Sequence, residues 1–356
     1  MECKRLDLHT SNTSNNCRFR YAQLVLSYIQ AQRTVRTIRQ AMGHIPETLN
    51  TVYESILSRV PVDDKVYVRR ALMWLSFSDE RLSLEELSEA VVLEEDLTSI
   101  GKDDRLQSLD FLPEVAQGII AFDDGYASLA HSSVKTFLTS EWIKTSNVKY
   151  YALDEDSATS KLMRLCLTYL LFTDFKTVHF GSQNIGKQYE QFPLLYYAVN
   201  YWPIHALQLS SHDYKLVDRF FQTRNLPQGG NFTYWVWCLI PTEEPSRIQE
   251  TQPLYYASSF GLVSIVDYLL KTDPEIDVDA LGGRFRSTPL IVASYRGHTE
   301  VVKLLLRAGA DPAKPDIDGW NALQWAQNWT WTEIEHLLQL RLELTLEEFR
   351  VRWGPA

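Results

Sequence analysis

The C-terminal part of the chain repeats itself, and this repetition constrains the fold more than any other feature of the 356-residue sequence. The stretches TQPLYYASSFGLVSIVDYLLKTD, beginning at Thr251, and STPLIVASYRGHTEVVKLLLRAGAD, beginning at Ser287, align with a constant offset of 36 residues. A third copy, GWNALQWAQNWTWTEIEHLLQ, follows the second at an offset of 33. Self-similarity at such a period predicts a solenoid, in which each copy buries its apolar face against its neighbours.

The residue types of these copies resemble the ankyrin repeat. The second copy has T-P-L from Thr288, G-H from Gly297 and G-A-D from Gly309. Glycine suits the helix–helix turn at 297 and the helix end at 309 because it tolerates a left-handed backbone. Ile291 departs from the family's usual His, Asn321 replaces the usual Thr, and the first copy carries three extra residues in its finger. The resemblance implies an ankyrin stack over residues 246–340.

Residues 61–148 follow a different pattern of helix, helix, helix, hairpin and helix, which is the order of a winged-helix domain. Ser83 followed by Glu86 predicts a capping box, and DRLQSLDFLPEVAQ predicts the third helix. Asp124–Gly125 between two alternating runs is the strongest short hairpin signal.

HSSVKTFLTS, residues 131–140, follows the second hairpin strand. It predicts a helix that is capped by Ser132 or Ser133, because a hydroxyl can accept a hydrogen bond from a free amide of the first turn.

The remaining segments complete a mainly α fold with three parts: a winged-helix domain, a helical region and an ankyrin-repeat solenoid. Residues 1–18 are expected to be a disordered tail, and residues 19–60 follow a helical pattern. Residues 149–245 are expected to be an aromatic-rich helical region that caps the solenoid, and residues 341–356 a final helix with its tail.

The order of these motifs resembles the C-terminal half of the fungal NACHT–ankyrin proteins, signal-transducing ATPases related to animal NOD-like receptors. The segments that carry the resemblance are FRYAQLVLSYIQ, IPETLNTVYESIL, RRALMWLSFSDERLSLEELSEAV, LAHSSVKTFLTS and FPLLYYAVNYWPIHA. The family's NACHT domain carries G-x-x-x-x-G-K-[ST], which binds nucleotide phosphates and which this sequence lacks. The resemblance implies that residues 19–60 are a helical remnant of the NACHT-associated region, and we expect either a truncated gene or a standalone paralogue.

The resemblance and the missing motif together predict a function. We expect a non-enzymatic protein-interaction module, the sensing or scaffolding arm of a NOD-like receptor type protein. Its partners would be an unidentified protein and, in full-length relatives, an intramolecular NACHT domain. The alternative is a fragment of a nucleotide-dependent ATPase whose motor domain lies upstream.

Composition excludes several other classes. The net charge of −10 argues against nucleic acid and anionic membranes, and no apolar run could span a bilayer. A winged helix that reads DNA is a further alternative, but residues 103–116 carry four acids against Arg105. The N-terminus lacks a secretory signal, and four scattered cysteines suit a reduced, intracellular, cytoplasmic protein. We expect no catalytic residues, no metal and no cofactor.

The best candidates for partner binding lie at the tips and inner helices of the predicted stack. The proposed residues are Arg284, Phe285 and Arg286 in one finger, Asp318 and Trp320 in the next, and Tyr295 and Arg296 near a helix–helix turn. Aromatic and arginine side chains are enriched at interface hot spots. The alternative is that Phe285 and Trp320 pack between adjacent fingers.

Overall fold

A computed structural model of the chain describes residues 20–26, 34–43, 47–106, 108–180, 184–207, 209, 213–226 and 229–354. The predicted tail at 1–18 lies outside these residues. The described chain is mainly helical, as predicted, and divides into two compact units. One unit holds the described residues up to Val92 together with Gly101–Ala158, and the other holds Leu93–Ile100 and the chain from Thr159 onward.

The first unit contains short helices and one hairpin. Its elements are α1 (20–26), α2 (Val35–Gly43), α3 (Leu49–Leu57), α4 (Lys65–Phe77), α5 (Leu84–Ala90), α6 (Phe111–Val115), β1 (Ile120–Asp123), β2 (Tyr126–Leu129), α7 (Ser132–Leu138) and α8 (Glu141–Thr145), with single 3₁₀ turns at Lys102–Asp104 and Lys149–Tyr151.

The hairpin and the capping box of the first unit confirm their predictions. β1 and β2 pair antiparallel from Ile120–Leu129 to Asp123–Tyr126. Asp124 and Gly125 have φ of 50° and 78°, the two positive values that a tight two-residue hairpin turn requires. The Ser83 hydroxyl accepts from the Glu86 amide at 3.1 Å, and the Glu86 carboxylate accepts from the Ser83 amide at 2.8 Å.

The predicted third helix is much shorter than its pattern indicated. DRLQSLDFLPEVAQ contains α-helix only at Phe111–Val115. The Ser108 hydroxyl accepts from the Asp110 amide at 3.0 Å, and such local side-chain bonds compete with a continuous helix. Arg105, the basic residue of this acidic stretch, forms an ion pair with the buried Glu89 of α5.

The predicted cap of α7 is wrong, because His131 caps the helix and not Ser132 or Ser133. His131 Nδ1 accepts from the Ser133 amide at 3.1 Å and lies 2.7 Å from the Ser133 hydroxyl. That hydroxyl also contacts the Tyr53 hydroxyl at 2.9 Å. Nδ1 is as many bonds from Cα as the side-chain oxygen of Asn or Asp, so it can make the same capping bond.

The second unit is helical, and its C-terminal part contains three helix pairs. Its helices are α9 (Glu155–Leu170, in this unit from Thr159), α10 (Ile185–Gln191), α11 (Leu195–His205), α12 (Asp213–Gln222), α13 (Gly230–Leu239), α14 (Pro245–Glu250), α15 (Pro253–Ser259), α16 (Val263–Thr272), α17 (Pro289–Arg296), α18 (Thr299–Ala308), α19 (Ala322–Asn328), α20 (Thr332–Glu343) and α21 (Leu346–Trp353), with 3₁₀ turns at Thr173–Phe175 and Thr223–Asn225.

The three helix pairs stack in register. The first helices of successive pairs, α15, α17 and α19, pack side by side, and the second helices, α16, α18 and α20, do the same. The Thr288 hydroxyl caps α17 by accepting from the Ile291 amide at 3.2 Å. Gly297 and Gly309 adopt the left-handed conformation expected of them, with φ of 80° and 105°. His298 Nε2 lies 3.0 Å from the Ser259 carbonyl and links two neighbouring layers.

Other helices cover both ends of the stack. On the N-terminal side, the Trp235 ring of α13 lies 5.1 Å from Tyr256 and 6.1 Å from Phe260. On the other side α21 packs on α18 and α20. The predicted final helix in 341–356 does not begin at residue 341, because α20 continues to Glu343 and Thr345 then caps the start of α21 with a capping box.

Candidate functional site

A groove of about 430 Å³ lies along the first helices of the stack. It begins beside Leu239 and Ile240 at the end of α13, crosses α15 and α17, and ends at α19. This volume is within the usual range of ligand pockets. Seven aromatic side chains line it: Tyr255, Tyr256, Phe260, Phe285, Tyr295, Trp325 and Trp329.

The repeat register explains which side chains reach the groove. Phe260, Arg296 and Trp329 occupy the same position in the three copies, at offsets of 36 and 33, and all three line the groove. Ser259 and Tyr295 share the preceding position and line it as well. A stacked repeat therefore presents one column of side chains to the same surface.

The finger between the first two layers forms one wall. Gly282 and Ser287 exchange two backbone hydrogen bonds of 3.0 and 3.1 Å, which closes the finger tip. Gly283 has a φ of 65°, and a Cβ there would lie 2.3 Å from the Tyr255 hydroxyl, so only glycine fits. This close approach holds Arg284 and Phe285 over the groove.

Asp316 fixes the next finger against α19. Its Oδ1 accepts from the backbone amides of Asp318 and Trp320 at 3.0 and 2.9 Å, and its Oδ2 accepts from Trp325 Nε1 at 2.7 Å. The carboxylate is buried, and each oxygen is already bonded within the protein. Asp316 therefore has a structural role in the groove wall.

Four of the seven residues proposed for partner binding line the groove. These are Arg284, Phe285, Tyr295 and Arg296. The Tyr295 ring meets Trp325 and Trp329 edge to face, with centroids 5.2 and 5.5 Å apart. Their role in binding remains a prediction.

The other three proposed residues lie outside the groove lining. Arg286 has a φ of 42° and pairs with Glu250 at 3.6 Å. Asp318 is exposed and donates its amide to Asp316. The Trp320 ring packs 4.9 Å from Trp325 and keeps 38% of its surface exposed.

The alternative, in which Phe285 and Trp320 pack between adjacent fingers, also stays a prediction. The Phe285 carbonyl accepts from the Ile317 amide of the next finger at 3.2 Å, yet the residue remains 49% exposed. Trp320 instead packs on the inner helix through Trp325.

The groove carries positive charge that is available to a ligand. Arg296 is exposed and makes no ion pair with any residue that the structure describes. Arg284 lies 3.5 Å from Glu243, a carboxylate that Arg247 already holds at 2.9 Å. Burial raises the pKa of the Tyr255 and Tyr256 phenols above their ordinary value, so both remain neutral donors.

Several groove residues were not predicted from the sequence, and the repeat alignment could have indicated some of them. The column of Phe260, Arg296 and Trp329 could have been read from the repeat alignment once Arg296 was chosen. Leu239 and Ile240 precede the repeats, and no periodic pattern marks them as part of this surface.

Ankyrin repeats are present in this chain: residues 254–340 match the family model for ankyrin repeats, in three copies. Other proteins are similar to this chain over short stretches. A 26S proteasome non-ATPase regulatory subunit 10 from Dictyostelium discoideum is 43% identical over 17% of this chain and 26% of its own length. Palmitoyltransferase AKR1 from Lachancea kluyveri is 36% identical over 23% of this chain and 11% of its own length.

A fungal protein is similar over a much longer stretch. "Azaphilone pigments biosynthesis cluster protein L" from Monascus ruber is 28% identical over an alignment of 299 residues that covers 75% of this chain. The aligned stretch spans 60% of that relative's length. Because 299 residues exceed the repeats at 254–340, the similarity extends beyond the ankyrin stack.

Among the helices that the structure describes, none combines the length and apolar character that crossing a bilayer requires.

Proposed function

We propose that this chain is a non-enzymatic protein-interaction module that binds a polypeptide in the groove of its ankyrin stack. The observation that carries the proposal is the convergence of Arg284, Phe285, Tyr295 and Arg296 on one aromatic-lined surface. Aromatic and arginine side chains contribute most of the energy at protein interfaces, because they bury large surfaces and make several hydrogen bonds. The short ankyrin matches to a proteasome regulatory subunit and a palmitoyltransferase are consistent with a stack used in different proteins.

Site-specific photocrosslinking tests this function. Tyr295 is replaced by p-benzoylphenylalanine in the full chain, and the protein is irradiated in extract from the cells that produce it. We expect a discrete protein adduct because Tyr295 lines the groove. The matched control carries the same probe at Leu342, which is exposed on α20 outside the groove lining. Identical adducts from both positions, or none from Tyr295, would contradict groove binding.

We propose further that residues 61–148 form a winged-helix relay in a NOD-like receptor type protein. The order of α4, α5, α6, the β1–β2 hairpin and α7 supports this assignment. The similarity to the fungal relative beyond the repeats supports an arrangement shared by more than the ankyrin stack. In this proposal the repeats are the sensing or scaffolding arm, and a NACHT domain is a partner in full-length relatives.

A DNA-binding assay distinguishes this proposed role of the winged helix inside a signalling protein from the alternative, a winged helix that reads DNA. We expect no saturable binding of labelled duplex DNA at low salt, because residues 103–116 are acidic and Arg105 is paired with Glu89. Tight binding that weakens steeply with added salt would instead identify a DNA-binding winged helix. Binding of labelled ATP by the same protein would favour the ATPase alternative.

A further inference from the structure

The shape of the groove favours an extended peptide as its occupant. Its lining comes from α13, from the first helices of the three layers, α15, α17 and α19, from the finger at Gly283–Ser287 and from Asp316 of the next finger. Neighbouring packed helices lie about 8–10 Å apart, so α15 to α19 span roughly 16–20 Å. An extended strand covers that distance with about five or six residues.

The charges that line the groove differ in how far they are already neutralised. Among the described residues that line the groove, Asp316 is the one acid, and three protein donors already occupy its two oxygens. Arg296 has no described ion pair, and Arg284 has only a long contact to a carboxylate held by Arg247. The groove therefore offers two guanidinium groups and no free carboxylate among its lining residues.

The aromatic residues provide apolar surface next to these two arginines. Trp329 is 48% exposed, and Tyr295 stands edge-on against it. On the other side of Arg296 in the same column lies Phe260, which packs against Tyr256 with centroids 6.1 Å apart. An apolar side chain placed here would remove aromatic surface from water, which is the main favourable term in association.

We propose that the groove binds an extended peptide with an aspartate or glutamate flanked by an aromatic or aliphatic side chain. The carboxylate pairs with Arg296 and Arg284, where a planar guanidinium can bind both of its oxygens. The apolar neighbour packs on Tyr295 and Trp329. This inference rests on the proposed function, since it specifies the chemistry of the polypeptide that the same groove binds. A lysine-bearing peptide is disfavoured, because the guanidinium groups would repel its ammonium.

Selection from a random peptide library tests this chemistry and requires no identified partner. The full chain is immobilised, and phage displaying random peptides of about eight residues, slightly longer than the groove, are selected on it. We expect enriched peptides to share an acidic residue next to an apolar one. The same selection on the Arg284→Glu, Arg296→Glu double variant should enrich lysine or arginine at the acidic position.

Synthetic copies of the enriched peptides then give dissociation constants by fluorescence anisotropy. Arg296→Glu should weaken binding by roughly tenfold or more, as expected for a central arginine of an interface. The matched control is Arg352→Glu, the same charge reversal at an exposed residue of α21 outside the groove. It should leave the affinity within about twofold, because exposed distant charges are screened by salt. Thermal melts check that each variant is folded.

The outcomes distinguish a failure of the acidic preference from a failure of groove binding itself. Peptides that require Tyr295 and Trp329 but carry no acidic residue, or that bind Arg296→Glu more tightly, would overturn the acidic preference and leave groove binding intact. Enriched peptides whose affinity is unchanged by Tyr295→Ala, Trp329→Ala and Arg296→Glu would overturn both, and so would a selection that enriches none.

Discussion

At the scale of single residues, Thr330 of the ankyrin stack has a strained backbone conformation. Its φ is 58°, and it occupies the repeat position that Gly261 and Gly297 hold in the first two copies. A left-handed backbone costs a non-glycine residue about 1–2 kcal/mol, and a β-branched side chain is particularly unsuited to it. The third copy therefore carries local strain at its helix–helix turn.

Replacing this threonine should stabilise the protein. We expect Thr330→Gly to raise the free energy of unfolding of the second unit by about 0.5–1 kcal/mol, since glycine's own entropic cost of about 0.5–1 kcal/mol offsets part of the relief. Chemical denaturation measures the change. The control is Thr332→Gly at the first residue of α20, which should destabilise because no positive φ is relieved there. A loss of stability in Thr330→Gly would show that the threonine is not strained.

His131 makes the cap of α7 sensitive to pH. Burial and, second, the charge of Arg20 lower the pKa of His131 from its ordinary 6.5. The unfolded chain therefore binds the proton more readily than the folded one. This contribution to stability is complete above pH 6.5 and is lost as the pH falls below it. Protonation of Nδ1 would also remove the acceptor that holds the Ser133 amide.

Asparagine at this position should keep the cap and remove the titration. We expect His131→Asn to lose less stability than the wild type between about pH 7.5 and pH 5.5, the range in which histidine titrates. Denaturation midpoints at several pH values give the two slopes. His298 titrates in both proteins, so its contribution cancels in the comparison. Parallel slopes would rule out His131 as a source of the pH dependence.

At the scale of elements, Gly297 in the turn between α17 and α18 is subject to two constraints, one on its backbone and one on the space around it. Its φ is 80°, and a Cβ there would lie 2.7 Å from Cε2 of the Trp331 indole. Trp331 belongs to the next layer and donates its Nε1 hydrogen to the Tyr295 carbonyl at 3.3 Å. The same glycine therefore serves the turn and the packing of neighbouring layers.

A matched pair of glycine substitutions separates these constraints. Gly297→Ala should destabilise the second unit by more than the roughly 1–2 kcal/mol that a left-handed alanine costs, because it also meets Trp331. Gly319→Ala has almost the same φ, 79°, but nothing lies within 4 Å of its added Cβ, so it should show the backbone cost alone. Denaturation measures both variants. Equal losses would mean that the Trp331 contact adds nothing.

The elements that the sequence predicted well are those set by local chemistry. The hairpin follows from Asp124–Gly125, and the helix start at Ser83 follows from a side chain that bonds within its own turn. The cap by His131 was missed because an imidazole seldom takes this role. The shortness of α6 was missed because the Ser108 hydroxyl bonds the Asp110 amide, and this local bond competes with an earlier helix start.

The candidate groove was predictable only where it follows the repeat. Arg296 and Tyr295 were found from one copy, and the periodicity extends them to Phe260 and Trp329. Asp318 and Trp320 were expected to contact a partner, but neither side chain lines the groove, although Asp316 of the same finger does. These bonds join residues only two to nine positions apart, but the repeat period does not indicate which side chains of a finger face the groove.

At the scale of the whole molecule, the stability of the solenoid depends on how its ends are covered. Repeats contact only their neighbours, so an uncovered terminal layer exposes apolar surface. Phe349 of α21 is fully buried and stacks on Trp353 with centroids 5.0 Å apart, while Arg350 Nε donates to the Arg307 carbonyl at 2.9 Å. α21 thus covers the last layers with one buried ring at its centre.

Removing that ring should loosen the C-terminal layers first. We expect Phe349→Ala to cost about 3 kcal/mol, a typical value for a buried phenylalanine, and to speed amide hydrogen exchange in α18 and α20 before α15. Val351→Ala is the control, because Val351 is 87% exposed on the same helix. Unchanged exchange in α18 and α20 would show that α21 is not needed as a cover.

The column of Phe260, Arg296 and Trp329 has a consequence for how such a chain can diversify. Each layer contributes one side chain to the column, and the layer's core is built from other residues, such as Leu290 and Leu305. A substitution in the column can therefore change which ligand the surface binds, one position at a time, with little cost to folding. Duplication or loss of a whole layer would lengthen or shorten the column, and a new binding specificity could be engineered by the same substitutions.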